Sequence, residues 1–198
     1  MNRSYIIILI VALILLSNSI IQEYQYPELA PPQSIKKYIG ATILRYIHYV
    51  VFLFTSFYLL FFMGTGSERD KYLFLIIILG TVFGWFMCDC CWLTYTELLF
   101  YDRTLENIES TFHPTFKYIF CDYDRTILSI SGILYPLNVF AILYTSNTLS
   151  IPFKTAYLFF FTGFFVYGAL MPMYKTCYYS RKNAMLNWFY ETYNKLIK

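Results

Sequence analysis

Six residues of chemically capable types fall close together in the first half of this 198-residue chain. Arg45 and His48 lie in one apolar stretch; Asp89, Cys91, Thr94 and Glu97 lie in and just after the next. A guanidinium, an imidazole, two carboxylates, a thiol and a hydroxyl could hold a proton or bind a small polar ligand. Ionisable groups near hydrocarbon are costly to keep and often functional. The same residues could instead pin helix register, a basic ladder on one helix meeting an acidic ladder on the next. The second use is favoured, because no Ser-His-Asp arrangement, HExxH, P-loop or GxGxxG accompanies them. Catalytic residues are therefore left unassigned, and the six stand as a candidate polar cluster. Cys88, Cys90 and Cys91 with His48 offer soft donors for a transition metal. Adjacent cysteines on one helix cannot aim at one ion, however, so neither a metal nor a cofactor is expected.

The elements that carry these residues are long and apolar. Stretches 38–63, 72–91, 127–144 and 151–174 each match the helix length that a hydrocarbon core of ~30 Å requires. A shorter run, 5–16, precedes them. The chain is 58% hydrophobic and 14% charged, and backbone in lipid is satisfied by helices. The expectation is an all-α, polytopic transmembrane bundle of four long spans. To these are added a short N-terminal hydrophobic helix and a C-terminal amphipathic interfacial helix. Four regions follow: 1–21, an anchor or signal peptide; 22–37, an extended linker with Pro27, Pro31 and Pro32; 38–175, the bundle; and 176–198, an amphipathic tail.

The pattern after residue 72 reads as one helix continuing to about Tyr101, so that Cys90, Thr94, Glu97 and Tyr101 share a face. The short 64–71 connection makes it an antiparallel neighbour of the helix before it. Residues at equal depth then have numbers summing to roughly 135. That sets Arg45 level with Asp89, His48 level with Met87 and Cys88, and Lys37 level with Glu97. A longer connection shifts the register by a turn and directs Arg45 toward Glu97. Gly80 and Gly84 are spaced for close approach of another helix. The 102–125 loop holds His113, Cys121, Asp122 and Asp124 without a ligand spacing. Asn138, two residues after Pro136, reads as helix–helix glue or as a cap for a freed carbonyl.

If five segments span, Arg3, Arg69, Lys71 and Lys154 share one side and the other eleven of the fifteen Lys and Arg residues share the opposite one. The excess-positive side is cytoplasmic by the usual rule, and it includes the C-terminus. The order basic, apolar, small in residues 1–19 also fits a cleavable signal, which would reverse that orientation. Net charge is +3 and dispersed, which excludes a nucleic-acid groove. The expected partners are the lipid bilayer and, through membrane helices, other copies or other chains.

Cys91-Trp92-Leu93-Thr94-Tyr95-Thr96-Glu97 resembles the Cys-x-Leu-Thr-x-x-Glu signature of small uncharacterised multi-helix membrane proteins. These occur in bacteria, as a domain of unknown function, and in giant DNA viruses. The bacterial pattern has Pro where this chain has Trp92. The resemblance implies a short multi-helix membrane protein and, with the Tyr- and Phe-rich composition, a viral setting; it brings no activity with it. Taken together, the sequence points to a structural or assembly component of a viral or internal membrane. The alternative is a small membrane-embedded redox or metal-dependent enzyme, with its site at the cytoplasmic edge of the second and third helices.

Overall fold

The computed structural model describes residues 3–25, 32, 34–62, 66–88, 91–101, 114–120 and 123–166, and every element among them is a helix. In chain order these are α1 (Arg3–Gln25), α2 (Ile35–Ser56), α3 (Tyr58–Phe62) and α4 (Glu68–Cys88), followed by α5 (Trp92–Phe100), α6 (Pro114–Phe120), α7 (Asp124–Thr145) and α8 (Ile151–Phe165). Among the described residues, α1 and α2 are long and apolar enough to cross a membrane. Ser129–Thr145 and Ile151–Phe165 are shorter apolar helices.

Each end of the bundle is fastened by polar side chains. At the first end the Ser4 hydroxyl donates to the Phe61 carbonyl, and the Tyr5 hydroxyl donates to Asp70. Ser67 and Asp70 form a reciprocal capping box that starts α4: the Ser67 N–H donates to Asp70 at 2.7 Å, and the Asp70 N–H to the Ser67 hydroxyl at 3.3 Å. Glu68 accepts from the Ser146 and Thr148 hydroxyls, and Lys71 donates to the Thr145 carbonyl. Lys154 donates to the Ser146 carbonyl. Thus α1, α4 and α8 start at this end, while α2 and α7 finish here. Ser150 caps α8, its hydroxyl accepting from Phe153, with Pro152 in the first turn where its missing N–H costs nothing.

Between the two ends lies an aromatic and aliphatic core built from Ile8, Tyr49, Phe52, Phe54, Tyr58, Phe62, Phe74, Ile78 and Val139. Phe54 meets Tyr58 and Phe62 edge-on and Phe74 tilted, at centroid distances of 5.5–6.0 Å, while Tyr58 and Phe62 stack at 5.0 Å. Large apolar side chains also face outward on α1, α2, α4, α7 and α8, among them Ile14, Ile43, Ile76, Ile133 and Phe159.

Several sequence expectations are corrected. The 5–16 run belongs to a helix that reaches Gln25, and α1 is packed into the bundle: Ser4, Ile8, Ala12, Ser19 and Glu23 form its buried stripe. Residues 22–25, expected in the linker, are therefore helical. The 38–63 stretch divides at Phe57 into α2 and α3. The supposed thirty-residue helix also divides. Cys91 has extended backbone (φ −60°, ψ 129°) and caps α5. Trp92 folds back so closely that a Cβ on Gly84 would lie 2.7 Å from its Cδ1. In a straight helix those two positions would be about 12 Å apart along the axis. Part of the 102–125 loop is the buried helix α6. The tail, 176–198, lies outside the described residues.

A candidate functional site at the Arg45 cluster

Arg45 projects from the middle of α2 into the other end of the bundle, where α1, α5 and α6 converge. Its guanidinium is 1% exposed. Nε donates to Glu97 Oε1 at 2.7 Å, Nη1 to Glu23 Oε2 at 2.7 Å, and Nη2 to the Tyr101 hydroxyl at 2.7 Å. Tyr101 in turn donates to the second oxygen of Glu23. The Tyr118 ring lies 5.2 Å from the guanidinium carbon, a cation–π contact. Glu97 is fully buried, and its Oε2 accepts from the Thr115 hydroxyl at 2.6 Å.

The network extends to His48. Thr115 spends its hydroxyl proton on Glu97, so its oxygen can only accept, and His48 Nδ1, 3.2 Å away, carries the proton it accepts. Tyr49 donates to the Thr115 carbonyl at 2.6 Å, and the His48 ring meets Phe116 edge-on at 5.3 Å. With the three charged groups ionised, the cluster carries one excess negative charge, which the Tyr101 and Thr115 hydroxyls solvate. Both carboxylates therefore have what a buried charge needs, a counter-ion and additional hydrogen bonds.

Of the six candidate residues, Arg45 and Glu97 are in direct contact, and His48 joins them through Thr115. Thr94 lies one turn before Glu97 on α5, with its buried hydroxyl lacking a hydrogen-bond partner. Cys91 is a buried free thiol at the α5 cap. Asp89, the expected partner of Arg45, lies outside the described residues. The expected level pairing of Lys37 with Glu97 is replaced by Arg45 with Glu97. Its physical reason is the break before α5: once the chain turns at Cys91, a register counted along a continuous helix no longer applies. Among the described residues no three His, Cys, Asp or Glu side chains gather as a metal site.

Sequence reasoning did not find Glu23, Thr115 or Tyr118. A signal existed for two of them. Glu23 continues at four-residue spacing the stripe that runs through Ser19, and Pro27 forbids helix only beyond it. Thr115 follows Pro114, a favoured first-turn residue, and precedes Phe116, Ile119 and Phe120 at helical spacing.

The opposite end of the bundle carries a second polar group of simpler kind. Lys71, Ser146 and Thr148 hold the Glu68 carboxyl down to about 2. For Asp70, burial opposes ionisation, but hydrogen bonds from Tyr5 and Ser67 outweigh it and its carboxyl is lowered. Comparison with protein-family models, with curated proteins and with solved structures finds no match.

Proposed function

We propose that this chain is a multi-pass integral membrane protein with a structural or assembly role in a viral or internal membrane, its C-terminus cytoplasmic. One observation carries the structural part of the reading. The Arg45 cluster is closed, its three charged side chains being 0–6% exposed and bonded to one another. An active site needs room for a substrate beside its reacting groups; this cluster spends those groups on holding α1, α2, α5 and α6 together.

The membrane part draws support from the outward-facing Ile, Leu and Phe side chains on five helices. Lipid contact accounts for so many large apolar side chains left outward on five helices. It also draws support from the alternation of helix direction. Arg3, Arg69, Lys71 and Lys154 all belong to the first end, while Lys36, Lys37 and Lys117 belong to the other, the same grouping that five spanning segments would give.

Three measurements test the proposal. Alkaline carbonate washing of membranes from expressing cells should leave the chain in the pellet, and its release would overturn the membrane reading. Protease added outside sealed, right-side-out vesicles should spare a C-terminal tag. Elemental analysis and absorbance of the purified protein decide between the structural role and the redox or metal enzyme, for a stoichiometric metal or haem would sink the structural role.

A further inference from the structure

A groove of about 280 Å³ opens on the outer surface between α1, α2 and α4, walled by Tyr5, Ile8, Leu9, Phe54, Leu73 and Ile77, and the wall it exposes is apolar. It runs along the helices from a level just inside the first end of the bundle toward the middle. Arg69 is exposed one turn above Leu73. Arg69, Leu73 and Ile77 are spaced i, i+4 and i+8 on one stripe of α4, so Arg69 begins the stripe whose next two residues wall the groove. Lys71 is engaged by Glu68, and Asp70, whose carboxyl the Arg69 charge helps to lower, spends its hydrogen bonds inward on Tyr5 and Ser67. Arg3, also exposed, begins α1 at the same end.

We propose that the groove holds one acyl chain of an anionic phospholipid whose phosphate is bound by Arg69. The inference rests on the membrane reading above. Charge complementarity identifies the occupant. A narrow apolar slot that ends at a cation matches a hydrocarbon chain that ends at a phosphate, whereas a second copy of the chain would present no anion there by default. Arginine suits the head group because its planar fork can donate two bonds to one phosphate.

The test uses full-length protein reconstituted in phosphatidylcholine vesicles with a trace of phosphatidylglycerol bearing a photoreactive diazirine in mid-chain. Carbonate washing is done first, so that failure of the membrane reading is seen separately from failure of the groove. Cross-links should concentrate at residues 5–9, 50–54 and 73–77 over the lipid-facing Ile133 and Leu137 of α7. Arg69→Ala should lower groove labelling by roughly fivefold, the effect of one basic residue at an anionic surface. Arg69→Lys should restore most of it, and Lys36→Ala, at the other end, should change nothing. Uniform labelling of groove and α7, indifference to Arg69→Ala, or equal labelling by a diacylglycerol carrying the same diazirine chain would each overturn the proposal.

Discussion

Glu23 on α1 and Glu97 on α5 grip one guanidinium from two sides, each 2.7 Å from a different nitrogen of Arg45. The arrangement links the first helix of the chain to a segment far along it, and neither carboxylate touches water to any extent. Its consequence is asymmetric. Removing Arg45 alone strands two buried negative charges, at a cost of about 3–5 kcal/mol, whereas neutralising all three should cost much less. Thermal unfolding in detergent should therefore place Arg45→Met well below the parent and the triple variant Glu23→Gln, Arg45→Met, Glu97→Gln between them. Equal stability of Arg45→Met and the parent would show that the cluster does not pin the bundle.

Asn138 bridges the break between α2 and α3. Its amide donates to the Thr55 and Ser56 carbonyls at 2.9 and 3.0 Å, and its carbonyl accepts from the Leu59 N–H at 3.4 Å. In an uninterrupted helix Leu59 would donate to Thr55; here one amide serves both. Asn138→Leu should cost roughly 1–3 kcal/mol, the desolvation of carbonyls left without donors. It should also speed hydrogen exchange at Leu59. Unchanged exchange there would mean that the kink stands without the amide.

Gly40 allows α5 to approach α2. A Cβ at that position would lie 2.6 and 2.7 Å from Cε1 and Cζ of Phe100. Gly40→Ala should lose about 1–3 kcal/mol through overpacking, and Phe100→Leu in the same chain should recover much of that. A double variant no more stable than Gly40→Ala would place the strain elsewhere.

Acid should loosen the Glu68 contacts at the first end of the bundle. Glu68 titrates at about 2 in the fold against an ordinary 4.5. The folded state is thus favoured above the unfolded value, and that contribution is lost as pH falls from 4.5 toward 2. Because the group is partly exposed, the effect is screened and small. Unfolding followed across that window should be steeper for the parent than for Glu68→Gln, and identical slopes would remove Glu68 as the cause.

The long apolar runs determined that the chain is helical and placed the bodies of α2, α4, α7 and α8, while α6 and the breaks at Phe57 and before α5 escaped them. They also singled out Arg45 and Glu97, since charged groups inside such stretches are rare. What the pattern could not determine was partnership. Glu23 is one acid in a polar run, and whether it faces solvent or Arg45 depends on α1 continuing to Gln25 and lying antiparallel to α2. Thr115 is an unremarked hydroxyl until α6 carries it beneath Glu97. The turn at Cys91 was illegible for a related reason. Residues 84–101 are largely apolar and contain no proline, so the pattern gives no sign of a break. The break there is compensated by contacts made only after the chain has folded, Trp92 against Gly84 and Glu97 against Arg45. Tertiary structure alone decided the pairing of Glu97 with Arg45, because the two are distant in sequence and meet only once the helices have packed.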